Sequence, residues 1–108
     1  MVEELTIVQG DQKYLYFYLR ESDGTTPVDI SNADTITFRM KRYGETTVCF
    51  EATCSVVTGT LGYCRVFLTT VATSRAGEPD YRSEVEVVEG NAIVTWLGPT
   101  IKIEEELG

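Results

Sequence analysis

The chain has 108 residues, enough for one domain whose core needs neither a metal nor a disulfide framework to fold. Hydrophobic residues make up 43% and charged residues 24%, as in globular proteins, and no apolar run approaches the roughly 20 residues that span a bilayer. A formal charge of −8 sets nucleic-acid and membrane-surface binding aside, and the absence of histidine removes the commonest general base and metal ligand.

The first segment, MVEELTIVQ, is acidic and lacks the basic region and long apolar stretch of a secretory signal, so the chain is expected to be soluble and not exported. Within it Leu5, Ile7 and Val8 mark a short strand stopped by Gly10-Asp11. The next strand, YLYFYLR, alternates strictly: Leu15, Phe17 and Leu19 fall on one side, and Tyr14, Tyr16 and Tyr18 on the other. A turn at Asp23-Gly24 and a short apolar ledge at Val28 and Ile30 then lead into TITFRMK, where Ile36, Phe38 and Met40 share one face.

Tyr43-Gly44-Glu45 closes that strand. TTVCFEATCSVV follows as a β-branched strand with imperfect alternation, and a bulge near Glu51–Cys54 would account for the slip. Thr58–Gly62 is a turn, after which Cys64, Val66 and Leu68 alternate with Tyr63, Arg65 and Phe67. The stretch VATSRAGEPD is irregular, with room for one helical turn at Val71–Arg75. Alternation resumes from Tyr81 to Val88, Glu89-Gly90-Asn91 makes a tight hairpin turn, and a last strand or pair is interrupted by Gly98-Pro99. About seven short strands without a sustained helical period predict a single all-β domain over residues 1–108, an antiparallel β-sandwich, with a small barrel as the other architecture.

Ile7-Val8-Gln9-Gly10-Asp11, Leu15-x-Phe17-x-Leu19, Asp23-Gly24, Pro27-Val28-Asp29-Ile30, Ala33 and Ile36-x-Phe38-x-Met40 occur in that order. This succession resembles the immunoglobulin-like N-terminal domain of phage baseplate upper proteins and similar small phage tail proteins. The resemblance is best over Leu5–Arg42 and continues through Val66-x-Leu68, Gly77 and Tyr81. It implies an immunoglobulin-like sandwich with a structural role in the virion, in tail or baseplate, whose partners are other virion structural proteins or a second copy of the chain. A head decoration or connector protein is compatible with the same residues. The matched positions are core and turn positions, so no catalytic residue, metal ligand or cofactor site carries over.

Chemistry-bearing residues are sparse. No activating histidine stands near any serine or threonine, no G-x-S-x-G elbow or glycine-rich phosphate loop occurs, and no enzymatic function is expected. Cys49, Cys54 and Cys64 are odd in number and lack zinc-site spacing, so they read as small apolar strand residues. Cys54 and Cys64 flank the Thr58–Gly62 turn, and a hairpin there would set them opposite each other. Glu84, Glu86 and Glu89, with Glu104–Glu106, read as a solvated acidic face, while Arg39, Lys41 and Arg42 suit pairing with acidic neighbours. Trp96 fits either the core or a contact surface.

Tyr14, Tyr16 and Tyr18 are the candidate interface. Three phenol rings on consecutive outward positions make an apolar stripe with polar tips, the composition favoured at protein–protein contacts. Stacking on a carbohydrate is the other use of such a stripe, which would make the chain a carbohydrate- or receptor-binding module.

Overall fold

In a computed structural model, described over residues 4–8, 10, 12–42, 44–69 and 80–104, the chain forms nine strands. They are β1 (Glu4–Val8), β2 (Lys13–Tyr18), β3 (Thr35–Arg42), β4 (Val48–Thr53), β5 (Ser55–Thr58), β6 (Tyr63–Leu68), β7 (Tyr81–Glu89), β8 (Ala92–Leu97) and β9 (Thr100–Glu104). One sheet has the order β1-β9-β7-β3-β4, with β8 also on β7, and the other has the order β2-β6-β5. This is the strand order of an immunoglobulin-type sandwich. The expected all-β sandwich is present, and among the described residues the only helical element is a 3-10 turn at Gly59–Leu61.

Two breaks turn seven sequence strands into nine. TTVCFEATCSVV is not one bulged strand: it breaks at Cys54, where the chain leaves the first sheet and enters the second. The Cys54 amide still donates to the Ile36 carbonyl, 2.8 Å away, and the next residue already pairs with β6. The other break is Gly98-Pro99, which splits one edge of β7 between β8, over Glu84–Glu89, and β9, at Tyr81. Proline cannot donate to a ladder. Instead the buried Ser83 hydroxyl donates to the Pro99 carbonyl at 2.6 Å, and the Gly98 amide donates to the Ser83 carbonyl at 2.9 Å.

Alternation decides what lies between the sheets. Leu15, Leu19, Cys64, Val66 and Leu68 come from the small sheet, and Ile36, Phe38, Met40, Tyr81, Val85, Val87, Ile101 and Ile103 from the large one. Phe17 is half-buried and meets Phe38 at 5.8 Å between ring centres. The β1–β9 pair is parallel, a pairing that alternation cannot reveal. The helical turn expected at Val71–Arg75 lies outside the described residues.

Between β2 and β3 the chain returns on itself through an Arg20–Pro27 bridge, and the Asp23 carboxylate closes the loop. It accepts from the Thr25 and Thr26 amides, each at 2.9 Å, and from the Thr26 hydroxyl. These bonds, the Thr26 hydroxyl first, lower the Asp23 pKa from 3.8 to about 2. Because the folded value lies below the ordinary one, the stabilisation is fully present above pH 3.8 and is lost as pH falls through about 2. An NMR titration of the Asp23 carboxyl carbon should have its midpoint near 2, and a midpoint at 3.8 would mean that the turn does not hold the carboxylate.

Candidate protein-contact face

The small sheet turns its second side to solvent, and the β2–β6 register sets that surface. Tyr14 stands against Phe67, Tyr16 against Arg65 and Tyr18 against Tyr63. All three β2 tyrosines project outward, 44, 49 and 54% exposed, while their neighbours Leu15 and Leu19 point into the core. The stripe legible on one strand is therefore half of a wider surface, because β6 contributes Tyr63, Arg65 and Phe67 beside it.

Ring contacts knit the surface together. Tyr18 and Tyr63 lie parallel, 4.1 Å apart at 6°, and Tyr16 stacks on Tyr63 as well, at 5.7 Å. Tyr14 meets Phe67 at 4.9 Å. Two guanidinium groups lie over the rings, Arg65 on Tyr14 at 4.5 Å and Arg20 on Tyr18 at 5.2 Å. Arg20 also donates to the Leu61 carbonyl at 3.1 Å, which fixes its direction. Desolvation and the adjoining Tyr18 hydroxyl raise the Tyr63 pKa, which keeps that phenol protonated near neutral pH.

The charge of this sheet is opposite to that of the chain. Residues 12–20 and 54–69 hold Lys13, Arg20 and Arg65 and no Asp or Glu, so all 17 carboxylates lie elsewhere. The outer face of the large sheet contrasts with it. There Arg39 meets Glu51 at 2.7 Å and Glu86 at 3.3 Å, and Lys41 meets Glu84 at 2.9 Å. Glu84 and Glu86 are thus partly buried members of a cross-strand ion-pair network, not a freely solvated acidic face. Among the described residues no group of three His, Cys, Asp or Glu side chains gathers as a metal site.

Trp96 belongs partly to the core. It is half-buried, packs against the core cluster, and its indole N–H donates to the Arg20 carbonyl at 2.9 Å. With Val28, Asp29, Val87, Glu89, Ala92 and Val94 it lines a cleft of about 120 Å³, well below the roughly 300 Å³ at which small-molecule sites begin. Cys54 and Cys64 come together as buried free thiols. They are diagonal neighbours and not directly opposite, since Cys64 pairs with Val56 and the hairpin register shifts between Val56 and Thr58. Hydrogen bonding to Cys64, then burial, raises the Cys54 pKa, which keeps that thiol protonated and unreactive. The Cys49 thiol donates to the Met40 carbonyl at 3.2 Å, beside the irregularity in the β3–β4 ladder.

No protein-family model matches the chain, and no curated protein sequence matches it either.

Proposed function

We propose that this chain is a non-enzymatic assembly module that binds another protein through the outer face of β2 and β6. A structural part of a virus particle, in tail or baseplate, is the setting we favour. That setting rests on the motif succession from Ile7 to Met40, and an immunoglobulin-type strand order is compatible with it.

One observation carries the contact reading: a contiguous surface of Tyr14, Tyr16, Tyr18, Tyr63 and Phe67, crossed by Arg20 and Arg65. Tyrosine and arginine are the residues enriched where proteins meet, and their rings bury much area at small cost in side-chain freedom. A sugar needs a free ring face in an open groove. Here Tyr18 and Tyr63 stack on each other, on a sheet surface, which favours a protein partner over a carbohydrate.

Replacing Tyr14, Tyr16 and Tyr18 together with threonine should keep the fold, because threonine suits exposed strand positions. The variant should lose its complex with the proteins encoded beside it when they are co-expressed and separated by gel filtration. A triple variant that folds and co-elutes like the parent would exclude this face as the contact.

A further inference from the structure

The two arginines of the aromatic face point to the chemistry of its partner. A guanidinium carries several in-plane N–H donors. Among the described residues Arg20 uses one, on the Leu61 carbonyl at 3.1 Å, and no acceptor stands in hydrogen-bond reach of the Arg65 guanidinium. Both residues are half-buried, and neither meets a described carboxylate, although Asp and Glu number 17 in this chain against 9 Lys and Arg. On the large sheet, by contrast, Arg39 and Lys41 are matched with glutamates at 2.7 and 2.9 Å.

The rings fix where these two charges stand. Arg65 lies over Tyr14 and Arg20 over Tyr18, 4.5 and 5.2 Å from the ring centres. Tyr14 and Tyr18 are four residues apart on β2, so the guanidinium groups mark positions about 13 Å apart at the usual strand rise. Tyr16 and Tyr63 fill the ground between them.

We propose that this face binds an acidic segment of another protein, in which two carboxylates about 13 Å apart flank an apolar or aromatic side chain. Each carboxylate takes the open N–H groups of one arginine, and the side chain between them lies on Tyr16 and Tyr63. This rests on reading the face as a protein contact and specifies the partner's chemistry.

Charge and ring geometry select this occupant. A carboxylate accepts parallel N–H bonds from a guanidinium, a pairing that fixes orientation as well as adding energy. A second copy of the chain is a poor match. Its aromatic face brings arginines and no carboxylate on β2, β5 or β6, and Glu84 and Glu86 of its large sheet are already held by Lys41 and Arg39. A single-stranded nucleic acid needs open ring faces for its bases and a charged groove for its phosphates. Here Tyr18 and Tyr63 stack on each other, arginines cover Tyr14 and Tyr18, and the whole chain carries −8.

Amide NMR titrations with an end-blocked peptide, Glu-Thr-Tyr-Thr-Glu, test this. Its two carboxylates and central ring share one side when it is extended. Gln-Thr-Tyr-Thr-Gln is the neutral control, and oligothymidylate is the nucleic-acid control. The acidic peptide should shift the amides of β2 and β6 and bind about tenfold more tightly than the neutral one. Arg20→Gln with Arg65→Gln should erase that difference, and so should raised salt. The variant with Tyr14, Tyr16 and Tyr18 all replaced by threonine should bind neither peptide. The same spectra report whether each variant is folded, and Arg65→Gln alone replaces the double variant should that one not fold.

Equal affinity for the two peptides, or an arginine variant that binds the acidic one like the parent, overturns the acidic-partner proposal and leaves the contact reading standing. Oligothymidylate binding to these amides more tightly than the acidic peptide overturns it in favour of nucleic acid. Parent amides of β2 and β6 that move on dilution without peptide overturn it in favour of a second copy. No shift from either peptide at millimolar concentration also overturns it, and the contact reading then depends on co-elution with the neighbouring proteins. Shifts confined to other strands, or undiminished in the tyrosine variant, overturn the contact reading as well.

Discussion

Phe38→Ala should remove about 3–5 kcal/mol of stability, the range for deleting a fully buried aromatic ring. The ring is 0% exposed at the middle of β3, with Val85 on one side of its strand and Ala52 on the other. Phe17 reaches it from the opposite sheet at 5.8 Å, and Phe50 meets it edge-on at 6.4 Å. Immunoglobulin sandwiches commonly fill this central position with a tryptophan packed on a disulfide between the sheets. Here an aromatic cluster fills it, and the described cysteines are free thiols. With no covalent link between the sheets here, the loss would consume a large part of the ordinary folding margin of about 5–15 kcal/mol. Phe67→Ala is the control, since that ring lies 37% exposed on the outer face. Denaturant midpoints should separate the two variants widely; equal losses would mean that Phe38 is not the centre of the core.

Gly62→Ala should cost about 2–5 kcal/mol, combining a left-handed backbone with an overfilled contact. Gly62 ends the 3-10 turn at φ 65°, and a Cβ there would stand 2.5 Å from the Leu19 carbonyl oxygen and 2.8 Å from that of Val28. Both neighbours are backbone and cannot swing aside. The Gly62 carbonyl also accepts from the Leu19 amide at 2.8 Å, so moving the turn would disturb the end of the β2 segment and the ledge beneath it. Gly24 supplies the comparison: its φ is 77°, but a Cβ there meets nothing within 4 Å. Gly24→Ala should therefore carry only the backbone penalty of about 1–2 kcal/mol. Similar losses at the two positions would show that crowding at Gly62 is not the cause.

Which side of each strand faces inward was legible because alternation depends only on neighbours in sequence. Leu15, Ile36, Phe38, Met40, Val66 and Leu68 all lie in the core as their spacing implies. Long-range pairing left no comparable signal. The parallel β1–β9 ladder joins opposite ends of the sequence, and the break at Cys54 looks locally like a bulge because both pieces remain extended. For the candidate face, the outward tyrosines could be read from YLYFY. Tyr63, Arg65 and Phe67 could be read as sharing one face of their own strand, but their place beside the tyrosines depends on β2 pairing with β6, strands separated by three others. One clue did lie in the sequence: residues 12–20 and 54–69 are both free of carboxylates in an acidic chain.

The parallel β1–β9 ladder also decides how the domain bears a load. Glu4 pairs with Thr100 and Val8 with Glu104, so the beginning of one strand and the end of the other lie at opposite ends of the ladder. A pull transmitted through residues 4 and 104 acts along both strands in opposing senses, and every ladder hydrogen bond resists it together. The β7–β8 hairpin, pulled at its two open ends, would instead unzip one pair at a time. Resistance to force is set by how fast the structure ruptures and not by its equilibrium stability alone. Shearing the first strand off the last is therefore the costly step when this domain is stretched between its two ends.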